Sequence, residues 1–174
     1  MEKSMLFLKP LASEDGEEIY RFFQHMPSEN GFLNPFVGME KTRFLREAIP
    51  QRIAYSQGIG LPEGHVPDTY FFLWKDGQII GNYKLRPRLN DFLRNGSGHI
   101  GFGILPEHRG QGFATQGLAL AIRELVSLPD FRDDEIYFSC YKDNPASLRV
   151  MLKCGGYIHH ENETDYFVRI SVGK

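Results

Sequence analysis

The run Gly98-His99-Ile100-Gly101-Phe102-Gly103-Ile104-Leu105-Pro106-Glu107-His108-Arg109-Gly110-Gln111-Gly112-Phe113-Ala114-Thr115 passes from a β pattern into a helix through a glycine turn. Ile100, Phe102 and Ile104 alternate with Gly101 and Gly103. A strand over Ile100–Leu105 therefore has one face lined by small residues, with space beside it. Beyond the turn, Ala114, Leu118, Ala121, Ile122 and Leu125 recur at helical spacing and predict a helix over roughly 112–127. The first amides of a helix have no intrahelical partner and sit at the positive end of its dipole. With Gly110, Gln111, Gly112, Phe113, Ala114 and Thr115 around the turn and the charge of Arg109 beside it, the segment reads as an anion site. It lacks the Gly-Lys-Ser/Thr ending of a triphosphate loop, and no first βαβ unit with a ribose-binding acid precedes it. The residues themselves specify a diphosphate-like ligand and no more.

The strand–helix alternation continues on both sides. Leu6–Leu8 reads as a first strand, 15–26 as an amphipathic helix, and 40–57 as a second helix that Pro50 should kink or divide. Tyr70–Trp74 and Ile79–Leu85 flank Asp76-Gly77, a strong hairpin signal. After the central segment come a strand over Glu135–Tyr141, a helix over Pro145–Cys154 broken by Gly155-Gly156, and strands over Tyr157–His159 and Tyr166–Val172. This order predicts a mixed, mostly antiparallel α/β sheet of six to seven strands with helices on both faces, in one domain spanning 1–174.

Composition excludes several classes. Twenty Lys and Arg against 22 Asp and Glu leave a net charge of −2, so no bulk basic face favours nucleic acid. No apolar run approaches the length needed to cross a bilayer, and the amino-terminal apolar stretch is too short for a secretion signal. Cys140 and Cys154 fit neither a disulfide framework nor a zinc pattern, which points to reduced thiols and a cytoplasmic location. His159-His160 beside Glu161 is discounted as a metal site, because neighbouring strand residues point to opposite faces.

Arg109-x-x-Gly112-x-Ala114 resembles the Arg/Gln-x-x-Gly-x-Gly/Ala motif of the GNAT superfamily of acetyl-CoA-dependent N-acetyltransferases. Asn144-x-x-Ser147 and Lys153-x-Gly155 are similar to a second signature of that family, and the predicted element order matches as well. The wording Gly98–Ile104, Asn30-Gly31-Phe32 and Gly64-His65-Val66-Pro67 is similar to a bacterial branch described only as predicted acetyltransferases.

The resemblance implies an N-acetyltransferase that moves the acetyl group of acetyl-CoA to a primary amine of a small molecule, by direct attack and without a metal. It gives the amides of Gly110 to Thr115 the CoA pyrophosphate and main-chain groups near Ile104 the pantetheine. Asn144 and Ser147 would add cofactor contacts, although Asn144 before Pro145 is also what a helix N-cap looks like. His99 stands where relatives often carry a glutamate base, and reads equally as a hydrogen-bonded strand-end histidine. The family's usual acid, a tyrosine four residues after the motif serine, is replaced by Met151, which leaves Tyr141 as a substitute or water in its place. Glu29, Asn30, Phe32 and Arg86 are the candidate acceptor contacts, Glu29 for an ammonium and Arg86 for a carboxylate. A non-catalytic acyl-CoA-binding module and a protein N-terminal acetyltransferase are the competing readings. Many relatives dimerise through their C-terminal strands, so a homodimer is an implied partner state.

Overall fold

Asp76 and Gly77 both take positive φ, 49° and 83°, the two-residue turn whose twist matches its flanking strands. They join β2 (Thr69–Lys75) to β3 (Gln78–Leu85) in the computed structural model, which describes residues 4–173. β1 (Leu6–Pro10) pairs with β2, and β4 (Ile100–Ile104) with β3, completing an antiparallel sheet ordered β1-β2-β3-β4. β5 (Glu135–Tyr141), β6 (Tyr157–Glu161) and β7 (Asp165–Ser171) make a second antiparallel sheet ordered β5-β7-β6. The strands come in the order read from the sequence, but they are divided between two sheets. Among the described residues, a single backbone bridge, Gly98 to Phe138, joins them.

Each face of the first sheet is covered by its own helices. On one face, α5 (Phe113–Ser127) packs Leu118, Ala121 and Leu125 against Phe71, Tyr83, Leu85, Ile100 and Ile104. α6 (Pro145–Lys153) adds Met151 to the same core. On the other face, α1 (Gly16–His25) packs Ile19, Phe22 and Phe23 against Phe72 and Ile79. Each such buried phenylalanine stabilises the fold by roughly 2 kcal/mol.

The second helical stretch runs as α2 (Lys41–Arg43), a π-helical segment (Phe44–Ala48) and α3 (Ile49–Ser56). Pro50 has no N–H for the carbonyl of Arg46. The chain widens by one residue just before it, with the Ile49 N–H donating to Phe44 O. The short α4 (Asp91–Arg94) fills the loop before β4.

The two adjacent histidines depart from the alternation expected of a strand. The register slips between Ile158 and His160, and this bulge brings the two Nδ1 atoms within 2.8 Å. No helix among the described residues is long and apolar enough to cross a membrane.

Candidate active site

The open edge of β4 is the organising feature. The C=O of His99 accepts from the Arg86 N–H at 2.8 Å, and the Leu105 N–H donates to Ile80 O at 2.8 Å. In an antiparallel ladder the bonding direction alternates, so Phe102 and Ile104 aim their backbone groups away from β3. Beyond the bridge at Gly98, no strand among the described residues pairs with that edge. The Ile104 C=O is already engaged by Arg109 Nε at 2.9 Å.

Next to this edge the chain enters α5. Gly110 and Gly112 hold φ of 71° and 83°, which disfavours a side chain at either position. The first intrahelical bond runs from the Gln116 N–H to Gly112 O at 3.2 Å, leaving the amides up to Thr115 unpartnered within the helix. Tyr83 fixes this turn from below: its hydroxyl donates to Ala114 O at 2.9 Å, and burial raises its pKa far beyond the phenol range. The residues fit a diphosphate group, with outward amides and no Cβ in the way at Gly110 or Gly112.

Asn30 and Gly31 form a second tight turn, with φ of 51° and 82°, closed by reciprocal Glu29 and Phe32 backbone bonds of 3.1 and 2.8 Å. This turn touches three parts of the site. The Glu29 carboxylate pairs with the Arg109 guanidinium. Phe32 lies over Gly103, where a Cβ would come within 2.8 Å of its ring. Gly31 lies beside Tyr141, where a Cβ would meet the ring at 3.4 Å. Tyr141 is exposed at the end of β5. Glu29, expected to await an ammonium group, is thus already committed to an arginine. Asn30 occupies the exposed tip.

His99 does not face this space. Its ring is fully buried, stacked edge-on against Phe131 and Tyr137 at centroid distances of 5.2 and 5.3 Å. Nδ1 accepts from the Tyr137 N–H at 2.8 Å, which leaves the ring proton on Nε2 to donate to Asp133 Oδ2 at 2.9 Å. Burial pulls its pKa down to about 4 against the raising effect of Asp133. Both nitrogens of a neutral imidazole are used, so the expectation of a catalytic base at His99 gives way to the strand-end reading.

The family model described as "Acetyltransferase (GNAT) domain" matches residues 5–156. The chain belongs to the GNAT acetyltransferase family. No curated protein matches it by sequence. Among solved structures, a chimera of the Vibrio cholerae spermidine N-acetyltransferase SpeG is similar at TM-score 0.62 and 19% identity, over 95% of each chain. The Vibrio fischeri ribosomal-protein-S5-alanine acetyltransferase is similar at TM-score 0.67 and 14% identity, over 98% of this chain and 97% of that one. A GNAT acetyltransferase from Streptococcus pneumoniae gives 0.66 and 13%, over 97% and 100%.

In this GNAT domain, Asn144 takes the capping role: its Oδ1 accepts from the Ser147 N–H at 3.3 Å. That occupies the side-chain oxygen that a cofactor contact was expected to share, and leaves only its NH2 group. Ser147 sits half-buried in the same turn. Met151 is 2% exposed and belongs to the core, so no acid can stand there. Burial lifts the Cys140 thiol to about 11 and keeps it protonated. Among the described residues no group of three metal-ligating side chains forms. Arg86 is half-buried, with Nη1 donating to Gly98 O at 3.1 Å, and burial lowers its pKa to about 10. Sequence reasoning missed Arg52, Asp68, Tyr70 and Lys84, which the β2–β3 register and the packing of α3 on β2 bring together.

Proposed function

We propose that this GNAT domain transfers the acetyl group of acetyl-CoA to the primary amine of a small molecule by direct attack in a ternary complex. The observation that carries the reading is the unpaired edge of β4 running into the outward amides of Gly110 to Thr115. Acetyl-CoA would supply the activated thioester. The turn amides would hold its pyrophosphate, the outward backbone groups of Phe102 and Ile104 would pair with the pantetheine as an added strand does, and Ser147 would add a further contact from the first turn of α6. The Phe102 or Ile104 N–H would donate to the carbonyl oxygen on which negative charge develops as nitrogen attacks.

As the new C–N bond forms and the C–S bond breaks, the nitrogen loses a proton to water, since His99 has no open lone pair. The Tyr141 hydroxyl, or a water beside it, returns a proton to the departing thiolate. Phe32 and Asn30 form the acceptor wall, while Glu29 orients Arg109.

Calorimetric titration with acetyl-CoA, with ATP and NAD as controls, tests the cofactor. Micromolar binding of acetyl-CoA alone is expected, followed by turnover on an amine panel. Gly112→Arg should abolish that binding while the circular dichroism melt still shows a folded protein; unchanged affinity would remove the cofactor assignment. Turnover confined to peptides would favour a protein acceptor, and binding without any turnover a regulatory module.

A further inference from the structure

The face of the first sheet turned toward α1 and α3 gathers three cations around one carboxylate. Register pairs Tyr70 with Lys84 and Lys84 with Gly101, so these three residues form one row across β2, β3 and β4. A Cβ on Gly101 would meet nothing within 4 Å, so the end of the row is open. By contrast, Gly103 two residues along is covered by Met26 and Phe32. Arg52 descends onto this row from α3, its guanidinium 3.8 Å from the centroid of the Tyr70 ring and 5.3 Å from that of Tyr55. Arg86 follows the end of β3, two residues beyond Lys84 and so on the same face, with its Nη1 donating to Gly98 O at 3.1 Å.

Three cations therefore converge, and among the described residues the one carboxylate paired with any of them is Asp68. It binds Arg52 directly and stands 3.6 Å from Lys84 Nζ. Arg52 is 9% exposed and Asp68 3%. The Nε of Arg52 is buried with no hydrogen-bond partner among the described residues. Buried charges are ordinarily paired, so a buried guanidinium with an unused donor, flanked by two half-buried cations, is a place an anionic ligand would complete. Burial and mutual repulsion draw the Lys84 ammonium down to about 7, the response of a cation short of counter-charge.

We infer that Arg52, Lys84 and Arg86 form an oxyanion subsite for the acceptor, so the preferred substrate is a small amine that also carries a carboxylate or phosphate group. This rests on the acetyltransferase reading and narrows its acceptor class. The geometry suits it. Gly101 is three residues from Ile104, about 10 Å along the strand at about 3.3 Å per residue. A compact acceptor can reach from the cluster to the open edge of β4. Guanidinium groups favour planar and tetrahedral oxyanions through paired N–H donors. The same cluster repels a polyamine.

The test uses the whole protein and matched acceptors: β-alanine against β-alaninamide, ethanolamine phosphate against ethanolamine, and spermidine. Calorimetry first establishes acetyl-CoA binding; its failure would overturn the acetyltransferase reading, and this subsite with it. With binding established, kcat/KM should favour at least one anionic member over its neutral partner by tenfold or more, with spermidine poorest. A carboxylate-only or phosphate-only preference identifies which oxyanion is bound. Arg86→Gln and Lys84→Gln should each bring the ratio toward one by raising KM for the anionic member. Arg52 is packed deeply, so these two variants carry the argument. If no pair turns over, affinities of the same pairs for the CoA-loaded protein read the same ratio. Equal use or equal binding of anionic and neutral members, or unchanged ratios in both variants, would overturn the subsite.

Discussion

At the scale of single residues, His99 shows how a position and its role come apart. Its place was legible: seven residues before Pro106, on the strand that enters the turn. Its task was not, because that depends on Tyr137 and Asp133, which lie more than 30 residues away in the chain. The folded protein keeps the imidazole neutral, with a pKa near 4 against an ordinary 6.5. The unfolded chain binds a proton first, so stability present above pH 6.5 is lost as pH falls toward 4, by up to about 3 kcal/mol. Arg94 and His99 hold the Asp133 carboxylate below its ordinary pKa of 3.8, so its own loss falls in a lower pH range. Urea midpoints between pH 7 and 4 should therefore fall steeply for the native protein. In His99→Gln, which keeps a donor and an acceptor but no titration, the slope should flatten, at a lower plateau. A variant slope equal to the native one would place the proton uptake elsewhere. Asn144 teaches the same lesson more mildly. Asn before Pro reads as a cap from local chemistry alone, and local chemistry decided it.

At the scale of elements, the sequence was most informative where a signal is local. The Asp76-Gly77 hairpin, the limits of β5 and the glycine entry to α5 follow from period and turn chemistry. The charge cluster of Arg52, Asp68 and Lys84 was hidden because it joins residues 52, 68 and 84 through the packing of α3 on β2 and the β2–β3 register, both tertiary facts. Gly117 is a further case. A mid-helix glycine costs roughly 0.5–1 kcal/mol relative to alanine, so it needs a packing reason. The reason is Tyr83, whose hydroxyl would lie 2.1 Å from a Cβ at that position. That phenol also fixes the first turn of α5 through Ala114. Gly117→Ala should therefore destabilise the fold by about 1–3 kcal/mol despite its better helix propensity. It should also weaken acetyl-CoA affinity, because α5 must lift from β3 and carry its amides with it. Paired urea melts and calorimetry would check both effects; an unchanged or raised midpoint would mean that the helix has room to spare.

At the scale of the molecule, two sheets share one core on the α5 face, yet among the described residues their backbones meet only at the Gly98–Phe138 bridge, where the His99 N–H donates to Tyr137 O at 2.8 Å. Past that bridge the edge of β4 has no strand partner, and a missing partner is a missing protection against solvent exchange. In the free protein the Phe102 and Ile104 amides should therefore exchange their hydrogens fast, although Ile104 is only 5% exposed. The amides of β3 that bond to β2, such as those of Tyr83 and Leu85, should exchange slowly in the same sample. A ligand that lies along the open edge supplies what the second sheet does not. Saturation with acetyl-CoA should then slow Phe102, Ile104 and the amides from Gly112 to Thr115 together, a local protection beyond the general slowing of the core. The same ligand at about 100 times its dissociation constant adds about 2.7 kcal/mol of stability. For a chain of this length that corresponds to a rise in Tm of roughly 5–10 °C. Hydrogen exchange read by mass spectrometry or NMR separates the two effects, because global stabilisation slows the core amides most while edge pairing slows the exposed ones first. Protection confined to the α5 turn, with Phe102 and Ile104 still fast, would place the ligand on the turn alone and leave the edge of β4 without its proposed role.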